Sequence, residues 1–116
     1  MSNDFLFSYK ASVVSVYDGD TFTADVDLGF GVWLKNQNFR LLGINTPELT
    51  GLSKQNGIIS RDRLRELIDK KVIIIKTHKD SKEKYGRWLA EIFVGGTEKS
   101  INEQLVNEKL AVPYKL

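Results

Sequence analysis

The chain has 116 residues, with 41% apolar and 28% charged side chains, which bounds it to a soluble globular domain with a core of modest size. It has no cysteine and one histidine, so disulfides and thiolate metal sites are excluded, and any bound metal is expected to be a hard cation held by oxygen. The formal net charge of +2 permits a polyanionic partner without arguing for one.

Residues 9–17 are rich in β-branched and aromatic side chains and predict a strand that stops at Asp18-Gly19. Phe22, Ala24, Val26 and Leu28 then alternate with Thr23, Asp25 and Asp27, a second strand with one buried and one solvated face. Gly29-Phe30-Gly31 turns the chain into a third strand from Trp33 to Ile44, expected to bulge around Asn36-Gln37-Asn38. Residues 53–70 predict a helix with Leu64, Leu67 and Ile68 on its apolar face, a Glu66–Lys70 pair one turn apart, and Gly57 weakening its first turn. Val72-Ile73-Ile74-Ile75 reads as a strand buried on both sides, followed by a charged loop from Lys79 to Lys84. Trp88, Ala90, Ile92 and Val94 alternate as a fifth strand, and Trp33 and Trp88 are expected in the core. Ser100-Ile101-Asn102-Glu103 has the form of a capping box, opening a helix with Ile101, Leu105 and Leu110 on its apolar face. Val112-Pro113-Tyr114 is extended. No repeat or linker interrupts the chain, and the expectation is one domain with its core over residues 9–112. This element order predicts a mainly β fold with two to three helices, a five-stranded Greek-key barrel of the OB type, whose strand face and loops commonly bind oligonucleotides.

No charged segment followed by an apolar run opens the chain, and no apolar run approaches a membrane span. Taking Met1 as the start, a non-exported soluble chain, cytoplasmic if anything, is expected, with no membrane partner.

Three polar clusters stand out. Asp18-Gly19-Asp20-Thr21 is a turn signal, and its second carboxylate, at the head of a strand, can face a cation. Asn45-Thr46-Pro47-Glu48 reads either as a strand-ending turn or as a cation and general-base cluster, because Asp, Asn and backbone carbonyl oxygens all ligate calcium and a glutamate beside such an ion can take a proton from water. Arg40 interrupts an apolar run, sharing one face with Leu42 and Ile44, and is either a structural ion-pair partner or a functional cation. Together with Arg87 it can clamp a phosphate and stabilise charge at an attacked phosphorus. Tyr85 and Tyr114 lie where bases can stack, the lysines of Lys79–Lys84 can meet a phosphate backbone, and His78 has no motif beside it and reads as structural or surface.

These segments, in order and at these separations, resemble the staphylococcal nuclease (thermonuclease) family: Asp18-Gly19-Asp20-Thr21, then Phe39 through Glu48, then Lys84-Tyr85-Gly86-Arg87, with Ile101-Asn102-Glu103-Gln104-Leu105-Val106 similar in the last helix. The resemblance spans roughly residues 10–112. It implies an OB-fold barrel, expected as a monomer, that hydrolyses DNA or RNA, preferably single-stranded, with calcium and leaves 3′-phosphate ends. It further implies Asp20, position 45 and the Thr46 carbonyl as metal ligands, Glu48 as general base, Arg40 and Arg87 as phosphate-binding arginines, and Lys84, Tyr85 and Tyr114 as nucleotide contacts. One position departs: the second metal carboxylate of the family is here Asn45. An amide oxygen still coordinates calcium but brings a dipole instead of a charge, and calcium affinity follows ligand charge. The departure keeps a second reading open, a non-catalytic module that binds single-stranded nucleic acid; a protein-interaction barrel is a third.

Replacing Asn45 with Asp restores the charge. A gain of about 1.4–2.8 kcal/mol in calcium binding corresponds to roughly 10- to 100-fold, so the half-maximal calcium concentration for activity is expected to fall by that order. An unchanged or higher value in a calcium titration contradicts the ligand argument.

Overall fold

The computed structural model describes residues 6–82, 85–96 and 98–114, the side chains of 78–82 excepted. Strands β1 (Ser8–Asp18), β2 (Thr21–Gly29) and β3 (Val32–Leu41) form an antiparallel meander; a short β4 (Ile44–Asn45) leads through a 3-10 turn into α1 (Lys54–Ile68). Then come β5 (Val72–Lys82), β6 (Trp88–Phe93), α2 (Ile101–Asn107) and β7 (Val112–Pro113). Five strands close a barrel in the order β1-β2-β3-β6-β5, with β5 returning to pair with β1 and β3 running parallel to β6. β4 and β7 form a separate two-stranded ladder beside it. The expected five-stranded barrel with helices is the architecture observed.

Alternation fills the barrel, and bulges correct its phase. Ala11 and Val13 point inward, an extra residue shifts the β1–β2 register between Val13 and Ser15, and Val16 becomes the next buried position. The bulge expected in the third strand is present: Asn36 has φ 54°, and its amide donates to Asp25 Oδ1 at 2.8 Å. Phe22 and Phe39 stack at 5.2 Å between centroids within a core that also holds Leu41, Leu64, Ile68, Ile92 and Leu105. The reversal at Gly29-Phe30-Gly31 is formed by three consecutive positive-φ residues.

Several expectations change. The run Val72–Ile75 is not buried on both faces: Ile73 and Ile75 are buried, whereas Val72 and Ile74 are exposed, because a small barrel has one inside. β5 continues to Lys82, so the expected charged loop is largely strand. Trp33 is exposed at the far end of the β2–β3 hairpin, beyond the closed part of the barrel, while Trp88 is partly buried and donates its indole N–H to Gln37 at 3.1 Å. The third strand breaks at Gly43 (φ 79°), so Ile44 turns into the core and no longer shares a face with Arg40. Glu66 pairs with Arg63, not Lys70, because α1 ends at Ile68 and Lys70 sits at φ 59°, reaching the Val14 carbonyl instead. Arg63 also clamps Glu108 past the end of α2 at 2.8 and 3.0 Å, and this guanidinium holds the Glu108 carboxyl down at about 2.

Ser100 caps α2 as expected, accepting from the Glu103 amide at 3.0 Å. The next residue but one does more than the capping pattern announces. Asn102 is buried; its side-chain NH₂ donates to the carbonyls of Leu42 (2.8 Å) and Ala90 (3.1 Å), and its Oδ1 accepts from the Ile92 amide (3.1 Å). One side chain thereby ties α2 to β6 and to the end of the Arg40 strand. Truncation by Asn102→Ala strands buried backbone groups at about 1–3 kcal/mol each, and relaxation offsets part of this. A total loss of roughly 2–4 kcal/mol in urea unfolding is expected. A loss below about 0.5 kcal/mol, the level of an ordinary surface change, would contradict the tie.

Candidate functional site

The turn between β1 and β2 divides its two carboxylates between two tasks. Asp18 folds the turn: its Oδ1 accepts from the Asp20 amide at 3.1 Å and from the Thr21 hydroxyl at 2.6 Å. Burial pushes the Asp18 carboxyl up; the Thr21 hydroxyl pulls against that shift, and the Asp20 charge adds to it. Asp20 points the other way. It is 6% exposed, its Oδ2 lies 2.7 Å from Arg40 Nη1, and the same oxygen accepts from the Thr46 amide at 3.1 Å. The turn reading is thus borne out at Asp18, while Asp20 is the carboxylate turned toward Arg40.

Arg40 is the hub. β2 and β3 place it opposite Thr21, and the Leu41 amide donates to the Asp20 carbonyl at 2.8 Å, so two strands fix the pair. Its Nη2 donates to the Ile44 carbonyl and to Asn45 Oδ1, each at 3.2 Å. Its guanidinium carbon lies 5.7 Å from the Tyr114 ring centroid, a cation–π distance. Tyr114 is brought there by β7 pairing with β4 and by its amide donating to the Gly43 carbonyl at 2.8 Å. Asp20, Asn45 and Tyr114 thus converge on the Arg40 guanidinium, and Thr46 joins them through Asp20.

A second arginine–tyrosine pair lies across the parallel β3–β6 contact. Phe39 is in register with Trp88 and Arg40 with Leu89, so Arg87 enters the sheet one residue before that register. Its guanidinium carbon lies 5.4 Å from the Tyr85 ring centroid, and Tyr85 is 71% exposed. Glu48 follows Thr46 and Pro47 on an exposed turn. Lys84 lies outside the described residues. His78 is on β5, with its side chain also outside them.

Two glycines allow this turn to sit where it does. A Cβ on Gly57 would come within 2.3 Å of the Glu48 carbonyl oxygen, and one on Gly19 within 2.7 Å of Thr46 Oγ1. Gly57, which in sequence only weakens a helix, is the place where the Pro47–Glu48 backbone crosses α1. Ser53 Oγ also donates to the Glu48 carbonyl at 3.2 Å. Sequence reasoning missed these supports, and Asn102 with them, because a close backbone crossing between distant segments leaves no local pattern.

The groups that the resemblance assigns to a cation are all oxygens: the Asp20 carboxylate, the Asn45 amide oxygen and the Thr46 carbonyl. That set fits a hard cation in ligand type. It carries one carboxylate, already paired with Arg40, and among the described residues no group of three or more His, Cys, Asp or Glu is gathered as a metal site. The fit is one of chemistry with a low charge count.

The chain is similar in sequence to known proteins. Residues 38–116 match the family described as "Staphylococcal nuclease homologue". The chain is 35% identical to the thermonuclease of Staphylococcus hyicus over 115 residues, covering 96% of this chain and 62% of that protein. It is 32% identical over 123 residues to an uncharacterized protein of Methanocaldococcus jannaschii, covering 88% of this chain and 55% of the other. The chain therefore spans little more than half the length of these relatives.

Gly57→Ala tests the crossing directly. The added methyl must push the Glu48 carbonyl away, so the Thr46 amide is expected to lose its bond to Asp20 and roughly tenfold or more of its hydrogen-exchange protection, about 1.4 kcal/mol. Barrel amides such as Ile92 should keep theirs. Unchanged protection at Thr46 would show that the crossing does not hold the turn.

Proposed function

Because the chain belongs to the staphylococcal nuclease family, we propose that it is a phosphodiesterase that hydrolyses DNA or RNA, preferably single-stranded, as a single-domain monomer with calcium as cofactor. The observation that carries this reading is the Arg40 guanidinium, held by Asp20, the Ile44 carbonyl and Asn45 beside a partly exposed tyrosine. A guanidinium fixed before substrate arrives loses little freedom on binding a phosphate, and its charge is already oriented when negative charge builds on the phosphoryl oxygens.

In this reading Arg40 and Arg87 bind the non-bridging oxygens of the scissile phosphate. Glu48, exposed on its turn, accepts a proton from the attacking water. A new P–O bond forms from that water, the bond to the 5′ oxygen breaks, the departing oxygen takes a proton from solvent, and the phosphate stays on the 3′ side. Tyr85 and Tyr114 stack against the flanking bases, with Lys84 as a further backbone contact. Asp20, Asn45 and the Thr46 carbonyl would hold calcium, which when bound supplies positive charge opposite the phosphate.

Incubating the purified protein with single-stranded DNA and with RNA, in excess calcium and then in chelator, is the direct test. Chelator-sensitive cleavage with 3′-phosphate ends is expected. No cleavage at any calcium concentration overturns the enzymatic reading, and salt-sensitive binding without product would indicate a binding module.

Glu48→Gln is expected to lower the cleavage rate by roughly 10²–10⁴ with stability changed by no more than about 0.5 kcal/mol. Arg87→Ala should likewise lose far more rate than stability. Parallel loss of both quantities would assign these residues to the fold instead.

A further inference from the structure

A groove of about 570 Å³ opens beside the site, lined at one end by Thr21 and Leu49, the direct neighbours of Asp20 and Glu48. Among the described residues three arginines line it, Arg87 from just before β6 and Arg61 and Arg65 from α1, and no carboxylate does. Arg65 donates Nε and Nη2 to the Val16 carbonyl at 3.3 and 3.2 Å, so its side chain is fixed by a neutral acceptor and its charge is not cancelled. Arg61 is paired with its neighbour Asp62 at 3.0 Å; that carboxylate is 57% exposed, and such adjacent surface pairs hold weakly. Tyr17, 74% exposed, stands on the groove wall, and Thr23 and Asn38, hydrogen-bonded to each other at 2.8 Å, supply polar groups on its floor.

We infer that this groove is a second binding region for single-stranded nucleic acid, carrying the strand away from the scissile phosphate across the β1–β2 sheet to α1. Arg61 and Arg65 are one helical turn apart, about 5–6 Å between Cβ atoms, a separation that lets the two guanidinia take neighbouring phosphates. Tyr17 offers an exposed ring to an intervening base. Arg87, which the proposed reading places on the scissile phosphate, itself lines the groove, so a strand held there can run on to Arg61 and Arg65. Arg61, Arg65 and Tyr17 are not among the site residues singled out in the sequence. This inference rests on the nucleic-acid reading of the site but not on catalysis.

The test separates the two. Binding of a thymidine oligonucleotide of roughly twelve nucleotides is measured by fluorescence anisotropy between about 50 and 200 mM salt, in chelator so that no cleavage occurs. The Arg61→Gln/Arg65→Gln double variant is expected to bind more weakly, with the slope of log affinity against log salt reduced by roughly 1.4, about 0.7 per lost phosphate contact. Tyr17→Ala should weaken binding roughly five- to 150-fold with the slope unchanged. Since Arg65 also holds the Val16 carbonyl, Arg61→Glu serves as the variant that leaves that bond intact, and it should weaken binding on its own. In calcium, cleavage of a dinucleotide, which fills only the scissile site, should remain at the unsubstituted level in the Arg61→Glu protein while the KM for the oligonucleotide rises. An unaltered salt slope in the double variant together with unaltered binding in Arg61→Glu overturns the groove, even if the protein cleaves. An altered slope in a protein that never cleaves upholds the groove and sinks the nuclease reading.

Discussion

The 2.7 Å contact between Asp20 and Arg40 is the interaction on which the rest of the site depends. Both side chains are nearly buried, at 8% and 11% exposure. Removing two charges from water costs several kcal/mol per ion, and attraction repays it only when the remaining donors and acceptors are satisfied. Here they are: the Thr46 amide bonds the same Asp20 oxygen, and the other arm of Arg40 reaches Ile44 and Asn45. The pair therefore does more than join β2 to β3. It gathers the whole Ile44–Thr46 segment around the ion pair and leaves the guanidinium facing the Tyr114 ring.

The scaffold keeps this arrangement in place from three sides. The barrel fixes Thr21 opposite Arg40, so the turn carboxylate and the arginine cannot drift apart along the strands. Asn102 holds the carbonyl of Leu42 and thus the point where β3 ends before the Gly43 break. Gly57 lets α1 press against the Pro47–Glu48 backbone, which sets where the exposed glutamate begins. The ladder of β4 with β7 then brings Tyr114, some seventy residues downstream, onto the Arg40 face. None of these supports is itself a reactive group. Their common effect is to order polar side chains before substrate binds, which is where most of the advantage of a prebuilt electrostatic site lies.

Under the proposed reading Asn45 has two roles that pull in different directions. As a cation ligand it is a charge short of what a carboxylate would give. As an acceptor for Arg40 it is a neutral partner that leaves the guanidinium less neutralised than an aspartate would. Fewer negative charges around Arg40 favour phosphate over cation at this point, and the three-arginine groove beside it extends the same bias.

Much of this was legible in the chain. The alternation of Phe22, Ala24 and Val26, the Asn36 bulge, the Ser100 cap and the five-strand count follow from period, turn chemistry and capping, which are local properties. The polar residues later found together were also visible as types, because Asp20 follows a turn signal, Arg40 interrupts an apolar run and Thr46 sits in a polar strand end. What the sequence by itself determined was the elements and the inventory of groups. Tertiary structure alone decided which face each group took and which groups met: Ile74 and Trp33 outward, Ile44 inward past the Gly43 break, Glu66 to Arg63, Arg61 and Arg65 into a groove with Arg87. The reason is physical. Periodicity fixes a side chain relative to its own strand or helix, but a contact between segments forty residues apart depends on register, bulges and backbone crossings that exist only once the barrel closes.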